Sequence, residues 1–167
     1  MKNDEKRIRT SVCLLVLGAS VVLMNPMEVD AKWTRSTAFD CKTFNGSPKD
    51  MSWALMNDSP TSSMQVLCNL PESDYYPKGN ITLLNLHARD GTTAGRVEAM
   101  ACASAWWEIG GWCGPKAVSE VGNVTDVTLQ PNLGQWLNDG NFGYLWIELP
   151  PRQGSSRSSI NGYFTVD

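Results

Sequence analysis

Along most of the chain, apolar and polar residues alternate with a period of two, in short stretches separated by turn residues. That period belongs to a strand with one buried face, whereas a helix would repeat near 3.6. The segment from Asn80 to Ala88 shows it plainly: Ile81, Leu83, Asn85 and His87 fall on one side, and Leu84, Leu86 and Ala88 on the other. Val97, Ala99 and Ala101 oppose Glu98, Met100 and Cys102 in the same way, and 123–129 alternates with β-branched residues that disfavour a helix. The pattern predicts further strands over 33–44, 51–56, 64–70, 142–149 and 160–166.

Turn signals punctuate these runs: Asn45-Gly46-Ser47-Pro48, Asn57 to Pro60, Asp90-Gly91 and Pro150-Pro151. The strands ending at Ala88 and beginning at Gly95 are expected to be consecutive antiparallel partners. Leu133, Trp136 and Leu137 have helix-like spacing, enough for one helical turn or a buried loop. About eight strands without strand-helix alternation predict a single-domain, all-β antiparallel sandwich of jelly-roll or immunoglobulin-like kind.

The first residues read differently. Lys2, Lys6, Arg7 and Arg9 precede an apolar run from Ser11 to Met24, and Val29-Asp30-Ala31 places small residues where a signal peptidase reads them. The run is shorter than the roughly 20 apolar residues of a spanning helix. Residues 1–31 are therefore expected to be a cleavable secretory signal and 32–167 the sandwich domain, secreted or periplasmic, with no membrane insertion of the mature chain. The formal charge of the whole chain is −3, and residues 32–167 keep that value because Asp4, Glu5, Glu28 and Asp30 balance the four cations of the leader. Nucleic acid is excluded as a partner because no basic footprint exists.

Of the five cysteines, Cys13 lies in the leader, and Cys41, Cys68, Cys102 and Cys113 follow it. In an exported chain these four serve as structural braces. Four thiols allow three connectivities, and spacing does not choose among them. The pairing carried forward is Cys41 with Cys68 and Cys102 with Cys113, which would close a short loop around a tryptophan-rich segment. Trp112-Cys113-Gly114-Pro115-Lys116 approaches a thioredoxin active-site run, but Lys116 stands where a resolving cysteine is required, and no strand-to-helix context surrounds it. The only histidine, His87, and the absence of close cysteine pairs leave no zinc pattern and no cofactor is expected. Asn138-Asp139-Gly140-Asn141 carries oxygen ligands but not a full calcium loop, and reads as a turn.

Three groups of side chains are candidates for function. Trp106, Trp107 and Trp112 cluster with Glu108 between Cys102 and Cys113, and exposed aromatic rings on a rigid scaffold stack on sugars or bury against a protein surface. Glu98 and Glu148 are the carboxylates that a small carbohydrate-active hydrolase would need about 5 Å apart. His87 with Asp90 would need a nucleophilic serine, and no Gly-x-Ser-x-Gly elbow supplies one. Asn45, Asn57, Asn80 and Asn123 begin glycosylation sequons, which count only in a host that glycosylates.

The run Asn57-Asp58-Ser59, then Val66 to Pro71, Ile81, Asp90-Gly91, Val97 to Cys102 and Ile160 to Tyr163 resembles a loose pattern in small, uncharacterised, exported proteins of proteobacteria. The resemblance implies a signal peptide, a β-rich domain and disulfides, and carries no activity. These readings favour a non-enzymatic secreted binding or surface-interaction module, with carbohydrate or a surface protein as partner and the 103–113 loop as contact site. The alternatives are the hydrolase and a structural component of an envelope or extracellular matrix.

Overall fold

The computed structural model describes residues 31–70, 72–73, 77–105, 110–122, 124–137 and 141–167. The expected signal segment lies outside them, apart from Ala31. Among the described residues, twelve strands form two antiparallel sheets. They are β1 (Trp33–Thr37), β2 (Cys41–Thr43), β3 (Pro48–Met51), β4 (Ala54–Asn57), β5 (Met64–Asn69) and β6 (Leu83–Asp90). Then follow β7 (Glu98–Ala105), β8 (Gly111–Cys113), β9 (Ala117–Val118), β10 (Thr125–Leu129), β11 (Asn141–Leu149) and β12 (Ser159–Val166). The first sheet runs β10-β6-β12-β4-β3, with β1 on the stretch of β12 that β4 leaves open. The second runs β2-β5-β11-β7, and β8 and β9 share the free edge of β7.

The sandwich is as the alternation predicts, with more strands than the expected eight because β3 and β4 form a hairpin within the first sheet, β8 and β9 are added on the edge of β7, and one expected stretch breaks where the chain changes sheet. Residues 33–44 are that stretch. A short 3-10 turn, Ala38–Asp40, splits it, and the Asp40 carboxylate accepts the Thr37 backbone N–H at 3.1 Å. β1 thus joins the first sheet and β2 the second.

A second expectation is overturned. β6 and β7 are not antiparallel partners: β6 belongs to the first sheet and β7 to the second. The residues between them carry the chain across the sandwich, around the buried carboxylate of Asp90. It accepts hydrogen bonds from the Thr92 N–H at 3.1 Å, the Val97 N–H at 3.4 Å and the hydroxyl of Ser119. Gly91 is required there, since a Cβ would lie 2.0 Å from the Arg157 carbonyl oxygen. Period-two patterning identifies a strand but not its neighbour.

Inward residues of both sheets form one core, including Leu84, Leu86 and Ala88 of β6 and Leu145, Ile147 and Leu149 of β11. The helical turn expected near Trp136 is a 3-10 turn, Gly134–Leu137. Trp136 is fully buried, and its indole N–H donates to the Cys102 carbonyl at 2.9 Å. Facing it, β7 supplies the small residues Ala99, Ala101 and Ala103, all buried. The large ring closes the core where these side chains are too small to fill it.

Both expected disulfides are present, Cys41–Cys68 and Cys102–Cys113. Each joins residues directly opposite one another on adjacent antiparallel strands. Such facing positions bring the sulfurs together without moving the backbone.

Two outcomes are expected in urea unfolding. Removing either disulfide by paired Cys→Ser substitution lowers stability by roughly 3 to 4 kcal/mol in the loop-entropy account. Trp136→Ala costs about 3 to 5 kcal/mol, read as a lower midpoint with an unchanged slope.

Candidate functional site

In β11 the alternation turns Asn141, Gly143, Leu145, Ile147 and Leu149 inward, all buried, and leaves Phe142, Tyr144, Trp146 and Glu148 outward. Three aromatic residues therefore follow one another on the solvent side of a strand, about 7 Å apart. The outward face of an antiparallel sheet is ordinarily polar. Here Phe142 is 62% exposed, and Phe44 nearby is 75% exposed.

The neighbouring strands frame this row. Register places Gln65, Leu67 and Asn69 of β5 on the outward face along one side. Met100, Cys102 and Ser104 of β7 lie along the other. A groove of about 490 Å³ runs over the row, lined by Phe44, Gln65, Leu67, Asn69, Ser104, Phe142, Gly143, Tyr144 and Trp146. None of these carries a charge. Burial pushes the Tyr144 hydroxyl above the usual tyrosine pKa, so it stays a neutral donor and acceptor.

Charge begins where the row ends. Lys116 extends its ammonium to 5.7 Å from the centre of the Trp146 ring and forms an ion pair with Glu98. Glu148 stands directly opposite Glu98 across β11 and β7. Facing positions bring Cβ atoms within about 5.5 Å, so the two glutamates that a hydrolase would use are neighbours across the strands. An acid catalyst, however, needs a carboxyl kept neutral in an apolar surround. In this cluster the Lys116 ammonium pairs with Glu98.

The other expected site residues are distributed as follows. Trp112, in β8, pairs with Ala103, whose side chain faces inward, so Trp112 points away from the aromatic row and is 39% exposed. Trp106, Trp107 and Glu108 lie outside the described residues. The segment that carries them leaves the sheet at Ala105, beside the Phe142 end of the row, and returns at Gly110, whose carbonyl accepts the Ala105 N–H at 3.1 Å. Cys113 lies on the outward face, its sulfur 4.0 Å from the Tyr144 hydroxyl.

His87 and Asp90 do not meet. His87 is exposed on the outward face of the first sheet, stacked on Phe164 with ring centres 5.5 Å apart, while Asp90 is buried on the inward side. The thioredoxin-like run begins within β8 and leads into β9 rather than a helix, and its cysteine is bonded to Cys102. Asn138, Asp139 and Gly140 lie outside the described residues, and Asn141 opens β11. Of the sequon asparagines, Asn45 and Asn80 are exposed, Asn57 is fully buried, and Asn123 lies outside the described residues. Among the described residues no three metal-binding side chains gather.

The aromatic row is the feature that sequence reasoning passed over. Its signal was available: 142–149 is apolar at both parities, Phe142, Tyr144 and Trp146 on one and Leu145, Ile147 and Leu149 on the other. A strand that is apolar on both sides in an all-β chain has a second surface to account for.

No family model matches this sequence, and no curated protein matches it. Among solved structures it is similar to a family two carbohydrate esterase from Cellvibrio japonicus, with TM-score 0.44 and 8% identity over 81% of this chain. That match covers 34% of the esterase chain, so this protein spans about a third of its length. It is also similar to a xylan-binding module, CBM86, from Roseburia intestinalis, with TM-score 0.44 and 15% identity over 81% of this chain and 95% of the module. A family 11 carbohydrate-binding module from Clostridium thermocellum gives TM-score 0.41 and 12% identity over 80% of this chain and 87% of that one.

The charged end of the row has a pH signature. The Lys116 ammonium is held above its ordinary 10.5, first by the hydrogen bond to Glu98, partly offset by desolvation, with the charges of Glu98 and Glu148 adding to it. A raised folded-state value stabilises the fold below the ordinary lysine pKa, and the contribution disappears as pH rises through the shifted value. Melting curves of the wild type and Lys116→Met should therefore differ at neutral pH and converge only above the raised folded-state value.

Proposed function

We propose that this protein is a non-enzymatic exported module that binds a neutral carbohydrate chain on the outward face of its second sheet. One observation carries the reading: Phe142, Tyr144 and Trp146 follow one another on a solvent-facing strand, in a groove lined only by uncharged residues. Pyranose rings offer flat C–H faces to aromatic rings and hydroxyls to amides. The row meets the first need, and Gln65, Asn69 and Ser104 meet the second with short donors and acceptors. A row extended along a strand suits a linear chain better than a single sugar. Pre-built on a paired central strand, it also loses little entropy on binding.

β8 joins this reading at the border of the groove, where Gly111 pairs with Ser104. β8 is tied to β7 by the Cys102–Cys113 bridge, and the Cys113 sulfur lies 4.0 Å from the Tyr144 hydroxyl. Trp106, Trp107 and Glu108 lie outside the described residues, and Trp112 faces away from the aromatic row. Two disulfides accord with an oxidising, extracellular or periplasmic location. A hydrolase remains the second reading, because Glu98 and Glu148 face one another next to Trp146.

Titration with soluble neutral polysaccharides, followed by tryptophan fluorescence and calorimetry, tests the proposal. Trp146→Ala and Tyr144→Ala should each weaken binding about tenfold or more, as aromatic anchors do, with melting temperatures close to wild type. Absence of binding across neutral glucans, xylans and mannans would remove the basis for it. Release of reducing sugar that Glu98→Gln and Glu148→Gln abolish would favour the hydrolase.

A further inference from the structure

The outward face of the first sheet carries a second groove of opposite character. Two depressions of about 560 and 520 Å³ adjoin there, sharing Asp126 and Asn161 in their walls. β12 runs beneath them. Trp33 of β1 opposes Val166 at one end, and β4 opposes Ser159 and Ile160 at the other. From Ile160 to Val166 is about 20 Å of extended strand. The floor dips where the register of β12 on β6 shifts between Ile160 and Gly162. Gly162 belongs there, since a Cβ would come within 2.5 Å of the Ser36 carbonyl oxygen.

The charge lining this groove contrasts with the chain as a whole. Arg35, Lys49, Arg89 and Arg157 stand against the single carboxylate Asp126, in a protein whose formal charge is −3. Arg89 is paired with Asp126 at 3.2 Å, and Arg157 with Asp58, whose carboxyl that hydrogen bond holds below its ordinary pKa. Arg35 and Lys49 therefore carry the surplus, one in each depression. Each is accompanied by an exposed indole. Arg35 lies over the Trp33 ring at 4.6 Å, and Lys49 lines its depression together with Trp53. Trp33 is 59% and Trp53 64% exposed.

We infer that this face is a second binding site, for an acidic polysaccharide whose rings stack on Trp33 and Trp53 while their carboxylates pair with Arg35 and Lys49. Each cation thus has an exposed indole near it, Arg35 with Trp33 on β1 and Lys49 with Trp53 on the border of the other depression. Nucleic acid would need a denser basic stripe, and an anionic membrane a cluster of cations beside one another.

Native electrophoresis in gels containing polygalacturonate provides the test, with uncharged glucan, duplex DNA and phosphatidylserine vesicles as comparison probes. Polygalacturonate should retard the wild-type protein, less so as salt is added. Arg35→Ala and Lys49→Ala should each weaken that interaction about tenfold, the loss of one hydrogen-bonded charge pair. Trp33→Ala, which removes no charge, should weaken it too, and Tyr144→Ala on the opposite sheet should leave it intact. The proposal is overturned if polygalacturonate causes no retardation at low salt, or if Trp33→Ala binds it as well as wild type does, which is plain ion exchange. Loss of binding in Tyr144→Ala, or equal affinity for DNA or vesicles, would overturn it as well. Because the neutral-glycan reading rests on the other sheet, its failure leaves these outcomes unaffected.

Discussion

The pleat of β11 is the constraint on which the rest depends. This strand is hydrogen-bonded along both edges, to β5 and β7, so its register cannot slip by one residue without moving every side chain to the other face. Leu145, Ile147 and Leu149 must lie in the core, and Phe142, Tyr144 and Trp146 must then face solvent. One local rule thus sets the hydrophobic interior and the candidate binding row together. It also explains the rigidity expected of that row, since the most completely paired strand of the sheet presents it.

Two sheets with apolar inner faces can slide over one another unless directional contacts stop them. Asn57, at the end of β4 in the first sheet, is fully buried and donates to the carbonyls of Leu149 and Pro150 at 3.2 and 3.0 Å, where β11 of the second sheet ends. The Tyr163 hydroxyl, on β12, reaches across to the Asn69 carbonyl at the end of β5. Asp90 gathers the crossing that follows β6, accepting from residues before and after β7. A buried polar group left without its partner costs more than a satisfied one contributes. These contacts therefore select one alignment of the sheets, and with it the placement of the grooves on their outer faces. The disulfides act differently: each links strands within one sheet, bracing the β2–β5 and β7–β8 edges where the pairing is short.

The two outer faces differ in a way that bulk composition conceals. An acidic chain presents a groove without charge on one side and a groove with surplus cations on the other. Net charge averages over both. The β-sandwich makes such a division easy, because the outward positions of each sheet are free of the packing demands that bind the inward ones.

The alternation of 83–90 and 98–105 determines, without further information, that these segments are strands, because the pleat has a period of two whatever the partner; 141–149, apolar at both parities, is a strand whose buried face only the packed sandwich decides. The disulfide pairing was open among three connectivities in the sequence, and the facing registers of Cys41 with Cys68 and Cys102 with Cys113 decide it. Strand partnership was likewise illegible: β6 and β7 look like a hairpin, yet the buried Asp90 and the tight approach at Gly91 send them to opposite sheets. The meeting of Glu98 with Glu148, and of Arg35 with the groove that Lys49 also lines, depends on residues distant in the chain becoming neighbours. Local pattern reports which face a side chain occupies. Only long-range pairing, enforced by buried polar contacts and the shared core, decides what stands beside it.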